Sequence, residues 1–487
     1  MNRASLLKSG LWTAYGATAT RLLALLSNLL LARLLLPSEF GVISVAYIFW
    51  AFANLFTQGT AGSFLVYKGV EDKRYLDTTY TISLLIGLVL ALGLLALSPL
   101  AANFFGVPDL VWILVFFAFN LLLSSAQSVY VGVLTRRMQY RELANSTLIA
   151  SLIRVFCTTG CALLGFSYWS FAVGDTAYWL IAFALTGRHV KHNFRLQIDP
   201  EVKAEVLSYC LGATGFSFGF YINANCDNVV IGKLLGSTSL GYYSFAYQLT
   251  TALSTILIQA IGQVGMSYFA QLPDDIEREQ ALVKVVEQTS FLAAPVYALF
   301  FLVIDQQVIS FIFGSKWIPA CTVIPWLLIF AYFRLINSQL FCMLSAKGQP
   351  GVNAKINLFI APLAVIGFVI GAWKGGILGV SIAVALILGI VWTIYCWWVG
   401  CRELSWSLKK FLILCFKPPL IALIPIFIAL NVPTILKPFL FTCIYLVGVR
   451  IIAAKQFFRY QVLLGSLVKK ISHIAKSIWR KMRKSAT

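Results

Sequence analysis

Charge is what this chain has least of. Of its 487 residues, 11% are Asp, Glu, Lys or Arg and 60% are hydrophobic. A water-soluble domain carries about 25% charge, so the composition leaves lipid as the main solvent. Acids are scarcer than bases, 18 against 38, which gives a formal net charge of +20. On a soluble protein that excess would point to nucleic acid. Here the bases fall in loops between apolar runs, where they set topology and meet anionic headgroups, and no nucleic acid is implied. Histidine is almost absent: His189, His192 and His473 lie in polar segments with no acid or cysteine cluster beside them, which argues against a metal site. The 10 cysteines are scattered, mostly inside apolar runs and without a CxxC pair, so they read as small buried hydrophobes rather than a disulfide framework. No glycine loop ending in Lys-Ser/Thr is present to cradle phosphate, so no ATPase is built in and no cofactor is implied. No Ser/His/Asp or Cys/His arrangement is visible either. No catalytic residues are therefore expected.

What is present is helix after apolar helix. Runs of about 20 residues recur along the chain, each long enough to cross a ~30 Å hydrocarbon core. Inside lipid the backbone must satisfy its own hydrogen bonds, so these runs are helices. The first begins near Gly10 and continues past Leu30, too long for a signal-peptide core. The expectation is an all-α integral membrane protein of about 14 transmembrane helices, at roughly 10–36, 40–66, 78–102, 110–134, 143–164, 168–187, 206–232, 239–270, 286–304, 317–344, 352–373, 376–400, 411–430 and 434–453. Loops after even-numbered helices are rich in Lys and Arg, as in Arg136, Arg137 and Arg141, or Arg188, Lys191, Arg195 and Lys203. Loops after odd-numbered helices hold about one base each: Arg33, Lys233, Lys316, Lys374 and Lys437. The positive-inside rule then makes the even loops and both termini cytoplasmic.

An internal repeat organises the runs. SNLLLARLLLPSEFGVISVAY, 27–47, aligns without a gap with DNVVIGKLLGSTSLGYYSFAY, 227–247. The two share Asn28/Asn228, Leu34/Leu234, Leu35/Leu235, Gly41/Gly241, Ser44/Ser244, Ala46/Ala246 and Tyr47/Tyr247, and Arg33 faces Lys233. A second match, 133–145 against 343–355, lies at an offset of 210. Both join like side to like side, so the halves are parallel repeats about an axis along the membrane normal. The expected organisation is an N-terminal six-helix lobe at 1–187, a cytoplasmic linker at 188–205, a second six-helix lobe at 206–400, helices thirteen and fourteen at 401–454, and a tail at 455–487. In the tail, Leu463, Leu467, Ile471, Ile474 and Ile478 recur at helical spacing among lysines and arginines, which reads as a basic amphipathic helix on anionic lipid.

Charges within membrane helices cost about 2.5–3.5 kcal/mol each at the centre, so each needs a reason. The candidates are Arg21, Arg154, Asp175, Asp227 and Arg334. Asn28 shares a helix face with Arg21, Asn223 lies one turn before Asp227, and Asn337 and Ser338 share a face with Arg334. Further polar stripes are Asn120, Ser124 and Gln127, Asn54 and Gln58, and Gln259 and Gln263, each of which can be simple interhelical glue. Acids at depth are too few to neutralise all three arginines, which points to an anionic ligand. Guanidinium suits phosphate because its planar fork binds bidentately.

Four stretches, LLARLLLPSEFGVISVAYIF (30–49), VLTRRMQYRELA (133–144), YWSFAVGDTAYWL (168–180) and DNVVIGKLLGSTSLGYYSFAYQL (227–249), carry a family resemblance. Together they resemble the polysaccharide transporter branch of the multidrug/oligosaccharidyl-lipid/polysaccharide exporter superfamily. The resemblance covers helices one to twelve. It implies two pseudo-symmetric six-helix lobes around a central cavity that opens alternately to either side. It also implies a flippase, at the bacterial inner membrane, for undecaprenyl-pyrophosphate-linked oligosaccharides bound for exopolysaccharide, capsule or O-antigen. Its partners would be the lipid-linked oligosaccharide, anionic lipids, and a polysaccharide polymerase with its chain-length machinery. Arg21, Arg154, Arg334, Asn28 and Asn228 become candidates for binding the pyrophosphate, and Asp227, Asp175 and Asn223 for ion coupling or gating. The family's Asp-Asn on helix seven is matched by Asp227 and Asn228. The first lobe holds Ser27 at the acid's position, so carboxylate coupling would be asymmetric. Two alternatives stay open within the superfamily: a peptidoglycan-precursor flippase and a cation-coupled drug exporter. A membrane-bound polymerase or glycosyltransferase would call for long outward loops with acid and base residues, which are missing.

Overall fold

The computed structural model describes residues 16, 19–21, 23–24, 26–57, 61–190, 192, 194–433 and 436–452, without the side chains at 211–220, 259–264, 266–267, 350 and 452. The tail at 455–487, Gln58, and the side chains of Gln259 and Gln263 fall outside these. The helices are α1 (26–34), α2 (Pro37–Thr57), α3 (Ala61–Lys68), α4 (Lys73–Phe105), α5 (Leu110–Arg136), α6 (Tyr140–Leu163), α7 (Trp169–Val190), α8 (Pro200–Leu234), α9 (Gly236–Ala270), α10 (Asp275–Val303), α11 (Gln306–Phe313), α12 (Ile324–Ala346), α13 (Pro350–Ala383), α14 (Trp392–Leu404), α15 (Leu408–Leu430) and α16 (Lys437–Ile452). A 3-10 turn, Ser315–Thr322, precedes α12, and a π-helical stretch, Val384–Val391, joins α13 to α14. No strand occurs among the described residues, and 8 helical stretches are long and apolar enough to cross a membrane. The chain is a multi-pass, all-helical membrane protein.

Local chemistry sets the helix ends. Pro37 opens α2, and Glu39 in its first turn accepts a hydrogen bond from the Leu36 N–H at 2.6 Å, the return half of a capping box. Asp72 caps α4 by accepting from the Arg74 N–H, and Gly106 closes the same helix in the left-handed region, φ 67°. Within α13, Gly376 takes φ 56°, ψ −140°, a conformation for glycine alone. The chain turns back there, so one long apolar run becomes two arms, with the break inside the 373–376 boundary expected from sequence.

Half of the polar stretch at 188–205 is helix. α7 runs to Val190, and α8 begins at Pro200 with Asp199 as its cap. The short segment between them is clamped to α4. Asp77 Oδ1 accepts from the Arg195 N–H at 3.0 Å and lies 3.1 Å from His192 Nε2. Thr78 Oγ1 accepts from the Asp199 N–H, and Phe194 stacks on Tyr80 at 4.5 Å. His192 is thus a tether, while His189 stays exposed on α7.

Two compact units emerge: one holds the chain to Val283 and Gln306–Leu408, the other Lys284–Asp305 and the chain from Lys409. In the second, Phe291, Ala298 and Leu302 of α10 share a core with Ile421, Ala422 and Ala429 of α15 and Phe441, Tyr445 and Val449 of α16. One apolar face of α10, which holds the ninth run expected from sequence, thus packs against α15 and α16.

The repeated hairpins meet in the first unit. α2 packs on α9 through two glycines, and the contacts mirror one another. A Cβ on Gly41 would strike the Ser237 carbonyl, and a Cβ on Gly241 would strike the Pro37 carbonyl. Positions 37 and 237 are themselves repeat mates. The basic pair follows the same symmetry. Arg33 Nη1 donates to the carbonyls of Phe311 and Ile312 at 2.7 and 3.1 Å, at the C-terminal end of α11. Lys233 Nζ donates to the Phe104 carbonyl at 2.7 Å, at the C-terminal end of α4. Each base therefore caps a helix of the opposite half, where unsatisfied carbonyls and the helix dipole favour a cation. Trp317 Nε1 adds a bond to the Ala32 carbonyl at 2.6 Å, and Asn28 Nδ2 one to Gln248 Oε1 at 2.6 Å.

Candidate functional site

Two cavities of the first unit hold the candidate arginines, one built mainly by each half of the chain. The first, of about 400 Å³, is lined by residues of α2, α6 and α7 together with Thr20, Arg21 and Ala24. Its charged centre is a closed set. Arg154 Nε donates to Asp175 Oδ1 at 2.5 Å, Tyr47 OH donates to Asp175 Oδ2 at 2.6 Å, and Arg154 Nη2 donates to Tyr47 OH at 3.1 Å. α6 and α7 form an antiparallel pair that brings 154 and 175 together, and α2 adds Tyr47. The Arg154 side chain is 31% exposed and the Asp175 side chain 11%, so the pair is only partly wet. A charge left alone at such depth would cost several kcal/mol, and pairing offsets that cost. Trp50 and Trp179 stand beside the set, ring centroids 5.5 Å apart.

The second cavity, of about 340 Å³, is lined by residues of α8, α9, α12, α13, the π-helical stretch and α14. Its charged group is Arg334, whose Nη1 reaches Tyr247 OH at 3.4 Å. Asn223 donates to the Asn357 carbonyl at 2.8 Å, while its own Oδ1 is buried and meets no hydrogen-bond donor among the described residues. Phe330, Phe341, Leu388 and Trp392 make the remaining wall largely apolar. Behind it, Asp227 is 2% exposed and accepts from Tyr243 OH at 2.6 Å and from the Asn228 N–H at 2.8 Å. Arg334 is within electrostatic reach of Asp227 and of Arg21.

Tyr47 and Tyr247 are repeat mates, and each receives an arginine. The arginines are not mates: at the offset of 210, Arg334 corresponds to Ser124 and Arg154 to Ala364. Two unrelated positions thus converge on one symmetric pair of hydroxyls. Of the residues singled out from sequence, Arg21, Arg154 and Asp175 line the first cavity, and Arg334, Asn223 and Ser338 the second. Asp227 sits behind the second cavity, Asn28 bridges the halves to Gln248, and Asn228 contributes its backbone N–H. Asn337 turns away to bond Thr393 and Trp397. Of the three deep arginines, Arg154 has an acid partner, Asp175. Sequence reading missed Tyr47, Tyr243 and Tyr247 as site groups, along with Trp50, Trp179 and Asn357. The signal for Tyr47 and Tyr247 was a hydroxyl kept at the same repeat position inside apolar helices. Among the described residues no group of three or more His, Cys, Asp or Glu could hold a metal.

Comparison with known proteins gives a consistent result. The family described as "Polysaccharide biosynthesis protein" matches residues 30–322. Succinoglycan biosynthesis transport protein ExoT of Rhizobium meliloti is 25% identical over 417 residues, 85% of this chain and 83% of that one. Lipopolysaccharide biosynthesis protein WzxC of Escherichia coli is 23% identical over 439 residues, 88% and 87% of the two chains. Among solved structures, a lipid II flippase MurJ in an inward closed conformation superposes with a TM-score of 0.72 at 16% identity, covering 92% of this chain and 99% of that one. An inward-facing multidrug resistance MATE family transporter gives 0.58 at 15% identity, covering 80% and 96%. These likenesses show a shared fold. The chain belongs to the polysaccharide biosynthesis protein family.

Proposed function

We propose that this protein is a flippase that moves undecaprenyl-pyrophosphate-linked oligosaccharide units across the bacterial inner membrane for surface polysaccharide synthesis. The observation that carries the reading is the placement of arginine on cavity walls beneath a bundle end where the two halves are latched together. The names of ExoT and WzxC support the same class of cargo.

Loop charge makes the hairpin end the outer face, with fourteen crossings and both termini cytoplasmic. The headgroup is what makes unassisted flipping slow, because its charges would have to enter hydrocarbon. The cavities replace water with fixed donors while the prenyl chain stays in lipid. Arg334 and Arg21, near one another across the halves, hold the pyrophosphate. The two six-helix lobes then rock, separating Gly41 from Gly241 and releasing Arg33 and Lys233 from their carbonyls. Asp227, held by Tyr243 next to the Arg334 cavity, is the group through which ion movement would bias the cycle. No bond in the cargo is made or broken.

Deletion of the gene tests the reading. The lipid-linked unit should accumulate on the inner leaflet, and Arg334→Ala should fail to restore export while remaining in the membrane. Normal surface polysaccharide in the deletion strain, with no accumulation, refutes it.

A further inference from the structure

The two cavities differ in what they can hold. Phosphate needs positive charge that the protein has not already neutralised. Of the two arginines that line the first cavity, Arg21 and Arg154, the second has been neutralised: both carboxylate oxygens of Asp175 are engaged, one by Arg154 and one by Tyr47, and Arg154 also bonds Tyr47. Such a set is electrically balanced but rich in directional groups. A guanidinium has five N–H donors and a carboxylate about four acceptor sites. The bonds described leave capacity on both, facing a cavity of about 400 Å³. That volume is within the roughly 300–1,000 Å³ of small-molecule sites.

Aromatic faces flank the set. Trp50 packs against Trp179 at 5.5 Å and Phe117 at 5.5 Å, which fixes its plane, and Tyr178 joins the same wall. A pyranose ring presents weakly polarised C–H bonds on its faces and hydroxyls around its rim. The negative face of an indole attracts the former, and a fixed carboxylate–guanidinium pair receives and donates to the latter. The second cavity has a different balance, with a largely apolar wall around Arg334.

We infer that the first-half cavity is a carbohydrate subsite, with Trp50 as the stacking platform and the Arg154–Asp175–Tyr47 set reading the hydroxyls of a sugar residue. This rests on the flippase reading and deepens it: Arg154 recognises sugar, and the pyrophosphate belongs to Arg334 with Arg21, at the side of the first cavity nearer the second. Selectivity among cargo sugars is then set by side chains at 47, 50, 154, 175 and 179.

The test uses the full chain in nanodiscs and two probes. One is the oligosaccharide released by mild acid from the lipid-linked pool of the deletion strain, labelled at its reducing end; the other is inorganic pyrophosphate. Trp50→Leu should weaken oligosaccharide binding about tenfold, Trp50→Phe should restore most of it, and neither should alter pyrophosphate binding. Arg334→Gln should do the reverse. Unchanged pyrophosphate binding shows that the Trp50 variants are folded. Wild-type-like oligosaccharide binding by Trp50→Leu overturns the subsite, as does an equal loss for both probes, or a wild type that binds no released oligosaccharide. A deletion strain that accumulates no lipid-linked sugar overturns the transport reading, and this inference with it.

Discussion

Adding one carbon to each of two glycines should unlatch the outer end. Gly41 and Gly241 sit where α2 and α9 touch, and a Cβ on either would run into backbone, the Ser237 carbonyl in one case and the Pro37 carbonyl in the other. Backbone cannot rotate away as a side chain would, so relief requires the helices to separate. Overpacking of this kind costs about 1–3 kcal/mol per site. That energy is absent once the halves have parted, so it enters the conformational equilibrium directly. A single Gly→Ala change should shift the closed-to-open ratio by about 5–150-fold, and the double change further. Spin labels at Leu36→Cys and Thr238→Cys, both exposed, in a cysteine-depleted background would report the separation by pulsed dipolar spectroscopy. Gly41→Ala/Gly241→Ala should move the distance distribution to a longer population. An unchanged distribution in a folded double variant refutes the view that this contact holds the outer end.

Other outcomes follow from the same contacts. Arg33→Gln and Lys233→Gln each remove a charge-assisted cap, and each should weaken closure by about 1 kcal/mol after solvent screening. Arg33→Lys and Lys233→Arg should stay close to wild type in the same distance measurement. Arg154→Gln strands Asp175 and should lower thermal stability by about 2–3 kcal/mol, given partial exposure. Adding Asp175→Asn should recover much of that loss, and a double-mutant cycle without coupling would contradict the pairing. At the start of α10, hydrogen bonds from Lys347 and then Arg278 hold the Asp275 carboxyl below the usual carboxylate range. Its contribution is present above the ordinary carboxylate pKa and is lost as pH falls through the lowered value. The melting difference between wild type and Asp275→Asn should therefore be steady near neutrality and shrink in acid.

The helical architecture was largely legible because lipid imposes one rule on every segment: a long apolar run must be a helix. The hairpin repeat was legible as well, down to the Gly41/Gly241 match and the Arg33/Lys233 swap. The reason for those matches was not, because it lies between the halves. Gly41 is kept small by position 237, and Arg33 caps a helix that ends at Phe313. The Arg154–Asp175 bond joins two helices, and nothing in the residues at 154 and 175 names the other as its partner. Tyr47 stood out only as the repeat mate of Tyr247, because a hydroxyl declares its role only when its partners are in place. The packing partners of α10 were hidden for a similar reason: Phe291, Ala298 and Leu302 are apolar whichever neighbour they meet.

Reconstitution measures the central claim most directly. Purified protein would be placed in liposomes with a fluorescent undecaprenyl-pyrophosphate-linked oligosaccharide confined to one leaflet, and its arrival on the other leaflet followed by a membrane-impermeant quencher. The account predicts transfer with wild type and loss of transfer with Arg334→Ala. Transfer no faster than in protein-free liposomes, from correctly folded protein, would contradict it.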